Sequence, residues 1–594
     1  MNRTPDTVRF CWFNIYPNAF KSDRTAFSEY MLDKGTTDFY FATDDKRGYI
    51  NRLQFSSGEV LLETEDHPLY LDVIKVIFDK PLAPGKETII TTPFHVRVPY
   101  NFDGIGYKFP RYQLRYWYPA VAAFVKPLTN ADSSSNMEAD YNIQVTIPAK
   151  FAAEIPVFQD SSITDSVKTM RFAAAGVNDV AIAIAKPHHI DAKARKGASV
   201  FSRIETGRLI SGQFLPALGY NVYDGLQAGI LSHNYHKNER WSYLVAPVYT
   251  FRSQSIAGIA SASYRIPVKK YIEELEAGFT GNTFSYSDGV DTNNNKVFGR
   301  LFRIVPFIRA KLPARSPKIE KYVTFKSYII NERDLEFVKY SVDSFFYPMK
   351  GEYTTRFVNE LTFDYSSSRV LYPYHAQLQV QQGLTWYRAN ASGHYFFNYP
   401  KGGGMNVRVF ASRFGYIGNL SATEKFSTTR FHPKLTAIRG EEDYTYSNYF
   451  VGRNEFEGLA GKQIMMRDGG LKLRTDLFEG LQGRSDKWVA SVNVNTTIPQ
   501  LFPVKIPLKI FLDAGTYAEA WDDDNTNPRF LYVAGLQLSL FKNLLNVYAP
   551  LMYSKQFRDQ LKTVPEENTF MKRLSFSVDI QRLSLRHYMK SEKR

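Results

Sequence analysis

The residues of this 594-residue chain best suited to metal or nucleophilic chemistry are ten histidines and one cysteine. His188 and His189 are adjacent, and neighbours in a strand point to opposite faces. No Cys or acidic residue stands at ligand spacing beside them, so the pair reads as part of a solvated linker. His233, His236 and Glu239 are spaced so that a helix would set three metal ligands on one face. They lie between the strand-like runs 226–231 and 241–249, which places them in a hairpin loop instead. No catalytic residue, metal or cofactor is expected, and His233, His236 and Glu239 are the metal candidates to be placed.

Three other features offer chemistry and read more simply. The run 522–527 (DDDNTN) is rich in oxygen ligands, yet it lacks the spacing and the final Glu of a calcium loop, so it is expected to be a solvated turn. Gly402, Gly403 and Gly404 lead into alternating Val407, Val409 and Ala411 rather than into a helix with Lys-Ser/Thr, which fits a hairpin turn and not a phosphate cradle. Cys11, between Phe10 and Trp12, is expected to pack as a small hydrophobe. A single cysteine also excludes an intrachain disulfide framework.

The elements that must position these residues are β-strands. Phe (45) and Tyr (39) far outnumber Trp (6), and both favour a pleated, half-buried surface. Lys and Arg exceed Asp and Glu by 15, but they are dispersed and form no recognition motif, so nucleic acid is not an expected partner. No run of about 18 uncharged apolar residues occurs, which excludes a helical membrane span but not a membrane barrel. The N-terminus lacks the basic start and apolar core of a secretory signal; the chain is either cytoplasmic or given from after its signal.

Residues 1–185 are expected to form a separate sandwich or saddle-shaped β domain, with strands in 71–78, 88–98 and 142–147 and a polar loop at 130–140. Residues 186–208 are basic, without apolar periodicity, and fit a linker. From 209 to 594 alternating runs and polar turns repeat. Leu574, Phe576, Val578 and Ile580 oppose Ser575, Ser577 and Asp579. Trp488, Ala490, Val492 and Val494 oppose Ser491, Asn493 and Asn495; Ala376, Leu378 and Val380 oppose three glutamines; Leu536, Leu538 and Leu540 oppose Gln537 and Ser539. A soluble multi-sheet protein would alternate too, but this stretch exceeds the ~200–250 residues usual for soluble all-β domains. At one strand per roughly 22–26 residues it predicts roughly 14–18 strands of an antiparallel transmembrane β-barrel, with Leu574, Phe576, Val578 and Ile580 facing lipid. Tyr235, Trp241, Tyr243, Tyr372, Tyr374, Trp386 and Tyr387 sit at run ends, where aromatic girdles belong.

Several runs carry a resemblance. Residues 12–20 (WFNIYPNAF) and 23–27 (DRTAF), Arg47-Gly48-Tyr49-Ile50, Pro81-Leu82-Ala83-Pro84-Gly85 and Arg115-Tyr116-Trp117-Tyr118-Pro119 resemble the N-terminal β domain of gluzincin-type zinc aminopeptidases. Residues 218–225 (LGYNVYDG) and 245–249 (VAPVY) resemble the C-terminal β region of a bacterial outer-membrane subgroup. The resemblance implies a fold of aminopeptidase-like β domain plus barrel, but the helical zinc domain between the two blocks is missing. No His is followed by Glu, so no HExxH motif can hold zinc with a general base beside it. The expected function is that of a non-catalytic protein of the cell outer membrane, bedded in lipid and offering its N-terminal domain to protein partners as part of a membrane assembly. The alternatives are a relative of outer-membrane zinc metallopeptidases whose catalytic segment is missing or divergent, and a porin or transporter.

Overall fold

The computed structural model describes residues 1–130, 132, 134–154, 160–164, 166–186, 214–234, 240–268, 270–339, 345–400, 402–437, 440–455, 457–474, 483–498, 507–522, 528–541, 543–563 and 569–579. The 186–208 segment therefore lies outside the described residues except for Lys186, and His188 and His189 with it. The chain divides into two units, Met1–Arg203 with Arg369–Leu371, and Ile204–Ser368 with Tyr372–Arg594.

In the first unit, strand Val8–Asn14 pairs antiparallel with Val73–Leu82 and Ala120–Val121, and Val73–Leu82 also pairs with Glu63–Asp66. One face of this sheet closes over Phe13, Ile15, Ile50, Phe55, Ile74 and Val76. Cys11 packs against the same cluster, where burial pushes its thiol up to about 12, so it is inert packing material. Beside it the helix Ala26–Asp33, capped by Thr25, buries Phe27 and Met31 with Tyr16, Phe20, Phe39 and Phe102. The polar loop at 130–140 is part of this core: the Asn14 amide donates to Asn136 Oδ1 at 2.8 Å, and the Ser135 amide donates to Tyr16 Oη at 2.8 Å. Further along, a three-stranded sheet (Ala139–Pro148, Val167–Val177, Asp160–Thr164) and a four-stranded one (Ala152–Glu154, Ile182–Ala185, Arg111–Leu114, Gly106–Lys108) share a core of Phe172, Val180 and Ile182. Of the expected strand 88–98 only His95–Arg97 forms, because Pro93 has no amide to give to a ladder. Trp12 and Trp117 are both half-buried.

The second unit is one antiparallel sheet of 16 strands, each paired with the next in sequence. They are β1 (Phe214–Asn221), β2 (Gly225–His233), β3 (Trp241–Thr250), β4 (Ser255–Pro267), β5 (Glu274–Val290), β6 (Lys296–Lys311), β7 (Ile319–Lys339) and β8 (Phe346–Ser367). Then come β9 (Tyr374–Gln382), β10 (Trp386–Asn398), β11 (Gly404–Tyr416), β12 (Trp488–Thr497), β13 (Leu508–Tyr517), β14 (Leu531–Leu540), β15 (Leu545–Tyr553) and β16 (Ser575–Val578). The count falls inside the expected range. No described helix is long and apolar enough to cross a membrane.

Register and burial assign the faces. Leu378 and Val380 of β9 are 57% and 50% exposed while Gln381 between them and Gln382 is fully buried. The row runs on through Leu378, Ala391, Ala411 and Ala490 across β9 to β12. The outward row is thus apolar, as the outer face of a membrane barrel would be, while the inward face carries buried polar residues such as Gln381 and Asn493 beside apolar ones. Phe576 and Val578 fall in the outward register opposite Val547 and Leu545, with Ser575 and Ser577 buried inward; Ile580 lies outside the described residues. Along β3 the outward residues run Trp241, Tyr243, Val245, Pro247, Tyr249, so aromatic rims flank an apolar middle. Tilted as barrel strands are, those nine residues rise about 20 Å, close to an outer-membrane apolar band. Tyr365, Tyr374, Tyr395 and Phe397 cluster at the same rim as Trp241, with ring centroids 4.6 to 6.5 Å apart.

Candidate functional site

Of the fifteen connections between the sixteen strands the longest runs from β11 to β12, and its described residues, 417–437, 440–455, 457–474 and 483–487, fold against the inward faces of the sheet. The rim they leave from is called upper here. Ser421 and Glu424 form a capping box that starts a short helix, Ala422–Ser427, followed by a 3-10 turn at Thr429–Phe431. Beyond it the segment has few regular elements, and its backbone groups find partners elsewhere within it: Leu435 N donates to Gly483 O at 2.6 Å, and Ala437 N to Leu471 O at 2.8 Å.

Its apolar side chains meet the inward faces of the wall. Leu435, Ala437, Ile464 and Leu471 are buried with Phe410, Val489, Phe511, Leu531 and Val533. Gly515 of β13 makes that contact possible, since a Cβ there would come within 2.2 Å of Leu435 Cδ1. A second cluster joins Phe431, Tyr444 and Tyr446 to Tyr328, Ile330, Val358, Trp386 and Phe414. Trp386 stacks on Phe431 at 4.5 Å and is 3% exposed. It is therefore a wall residue gripping the insert and not part of a membrane girdle, because its parity turns it inward; Tyr387 beside it is outward and exposed. Tyr235 lies outside the described residues.

Charge fixes the same segment. Arg388 of β10, wholly buried, is ion-paired with Asp468 and donates to Phe431 O at 3.3 Å. Lys472 Nζ lies 2.7 Å from Asp513 of β13, whose carboxylate also takes the Asn493 amide at 3.0 Å. Glu332 of β7 receives Arg356 of β8 and, at 3.3 Å, Arg430 of the insert. Arg303 of β6 donates to Thr445 O at 2.8 Å. Within the segment Asp443 accepts from Arg453 at 3.2 Å and from Asn448 N at 2.8 Å. Carboxylates buried this deeply stay tolerable only because each is paired and hydrogen-bonded.

The insert also reaches both ends of the sheet. Val222 N, in the turn after β1, donates to Val451 O at 2.8 Å, and Ile464 N donates to Phe576 O of β16 at 2.8 Å. Among the described residues β1 and β16 do not pair with each other, so residues 451–464 bridge them. The sheet wraps around its own connection. Between insert and wall a polar cavity of about 950 Å³ remains, lined among others by Gln377, Gln379, Asn390, Asn406, Asn493 and Lys509.

The metal candidates are not brought together. His233 ends β2 and is fully buried, while His236 and Glu239 lie outside the described residues. No group of three or more metal-ligating side chains occurs among the described residues. What sequence reading missed was the insert. Its one available signal was a break: 417–487 is the longest stretch after 209 without an alternating run.

No protein-family model matches the chain, and no curated protein matches it. Solved structures do. BamA from Haemophilus ducreyi lacking POTRA domains 1–3 is similar at 12% identity, with 56% of this chain and 65% of that chain covered and a TM-score of 0.32. CdiB from Acinetobacter baumannii is similar at 13% identity, with 58% and 57% covered and a TM-score of 0.30. The match spans less than two thirds of either neighbour's length. A likeness this distant leaves the barrel to be read from its own registers. The gluzincin resemblance is corrected here: no family model supports it, and neither solved neighbour is described as a peptidase. Its aromatic-proline runs have other work. Arg115 pairs with Asp179 at 3.2 Å, Tyr16 and Phe20 fill a core, and 218–225 and 245–249 are barrel wall.

Proposed function

We propose that the chain is an outer-membrane β-barrel protein acting as a structural or interaction component of a membrane assembly, without catalysis of its own. The observation that carries this reading is the division of faces in the 16-stranded unit. Its outward rows are apolar between aromatic rims, and its inward rows mix buried polar residues such as Gln381, Asn493 and Asp513 with apolar ones that the described residues of the 417–487 segment cover. Lipid is the partner of the first surface. An open porin is a poorer fit, since the segment from Leu435 to Leu473 buries much of the inner wall.

Residues 1–185 serve as the partner-binding domain, 186–208 as its linker and 209–594 as the anchor. In support, the ten-residue strand Ala139–Pro148 is an outer strand of its sheet, paired on one side only among the described residues. An unpaired strand edge offers backbone donors and acceptors to an added strand of another polypeptide.

The test is fractionation and purification. The chain should sediment with outer membrane, require detergent, and migrate differently before and after boiling, as folded barrels do. A water-soluble monomer obtained without detergent would sink the proposal. Crosslinkers placed at Asn142 and Gln144, exposed on that outer strand, should capture protein in cells; if only lipid is captured, the partner assignment fails and the anchor assignment stands.

A further inference from the structure

The outward wall is not uniformly convex. Across β8 to β11 it holds an apolar groove of about 520 Å³, walled by Phe363, Leu378 and Val409 and floored by Ala391, Gly393 and Ala411. The floor is low because its side chains are small: even a Cβ on Gly393 would stand 3.2 Å from Val409 Cγ2. Ala391 and Ala411 are register partners, and the next outward pair toward the upper rim is Ala389 with Arg413. The Arg413 side chain is exposed and has no hydrogen bond or ion pair among the described residues. Its cross-strand neighbour on β12 is Trp488. One step beyond, the outward row turns polar with the Asn359–Gln382 pair. Arg413 therefore stands where apolar wall meets the headgroup level. A cation on a lipid-facing wall is unfavourable unless an anion of the membrane meets it.

We propose that this groove and Arg413 form a binding site for a phosphate-bearing acyl lipid of the surrounding bilayer, with one acyl chain along the alanine-glycine floor and the phosphate on the guanidinium. The planar fork of Arg matches phosphate oxygens, and a smooth apolar trough matches a hydrocarbon chain. The site rests on the membrane-spanning reading of the barrel, which it deepens by naming a lipid class.

The experiment is native mass spectrometry of the full chain in detergent, titrated with phosphatidylglycerol, with diacylglycerol of the same chains, and with inorganic phosphate. One phosphatidylglycerol should be retained per chain, and inorganic phosphate should not displace it. Arg413→Gln should weaken phosphatidylglycerol by about fivefold, the weight of one cation at a lipid surface, and leave diacylglycerol unchanged. Ala391→Phe should weaken both lipids, by about fourfold for each methylene it displaces. Leu536→Phe, outward on β14 and outside the groove, should change neither. Retention by Arg413→Gln and Ala391→Phe equal to wild type overturns the site, as does displacement by inorganic phosphate alone. If Ala391→Phe fails to fold, Arg413→Gln decides by itself, because its side chain is exposed. A chain that needs detergent yet is indifferent to both variants loses the site and keeps its membrane assignment; a chain that is soluble and takes up no lipid loses both.

Discussion

The two units use one grammar in opposite senses. Both are antiparallel sheets whose side chains alternate. In the first, Phe13, Ile74 and Val76 turn toward Phe55 and Ile50, and the charged residues of Glu63–Asp66 face water. In the second, Leu378, Ile510 and Leu512 turn outward, and polar Gln381, Asn493 and Asp513 are buried inward beside apolar residues such as Phe511. Period two alone cannot say which face is wet. That is decided by what each face meets: a second sheet or helix in one unit, and in the other an insert of apolar and charged residues inside, with lipid outside on the proposed reading.

The contrast breaks most strongly at its buried charges. Arg388→Ala takes from Asp468 its closest cation and leaves only Arg467, 3.8 Å away, and the Lys434 amide inside the barrel, so a loss of about 3 kcal/mol is expected. It should be read as a lower temperature for loss of the folded, unboiled band, together with new protease sites in 417–487. A wild-type melting temperature and protease pattern would mean that the Arg388–Asp468 pair does not hold the insert. Next comes the outer wall. Leu512→Arg, at an exposed apolar position, should cost about 2–4 kcal/mol in lipid, whereas Gln379→Arg, facing the polar cavity, should cost under about 1 kcal/mol. Equal costs would deny that the two faces have different solvents.

The first unit should answer to pH instead. Burial pushes the Asp72 carboxyl up to about 6, although Leu128 N donates to it at 2.7 Å. The unfolded value is about 3.9, so the folded unit holds the proton more tightly. Its contribution is present in full below about pH 4 and is lost as pH rises through about 6, at most about 3 kcal/mol. Hydrogen-exchange protection across this unit, corrected for the base-catalysed intrinsic rate, should fall over that window in the wild type and stay level in Asp72→Asn; parallel profiles would refute the assignment. The smallest effect belongs to an exposed pair. Glu65→Gln, which removes the partner of Lys75, should shift stability by no more than about 0.5 kcal/mol.

Much of this contrast was legible in the sequence. The rows through Leu378, Val492 and Leu536 could be assigned faces from alternation, because a strand allows only two. The strand count followed from the spacing of turns. Other features left no periodic trace. Leu435, Ala437 and Leu471 take their burial from walls distant in sequence, so beyond the break in alternation nothing local announced the insert. Trp386 and Tyr387 are adjacent aromatics at one strand end, and only the pairing register shows that one faces the interior and grips the insert while the other faces outward. In the first unit Ser135 and Asn136 looked like loop residues, yet they are buried hydrogen-bond partners of Tyr16 and Asn14. The aromatic-proline runs misled for a related reason: many antiparallel sheets need such residues at their turns and cores.

The bridge between the ends of the sheet has a consequence in time. Tyr223 Oη accepts the Asn454 amide at 2.6 Å across 231 residues of chain, and β16 is reached through Ile464 on the same segment. Hairpins between successive strands form from near neighbours, but these clasps must wait for remote ones, and loop-closure entropy makes such contacts slow. Assembly of this barrel therefore has a built-in last step. A sheet curled from β1 to β15 would stand as an incomplete ring, its margins joined only once residues 451–464 have settled between them.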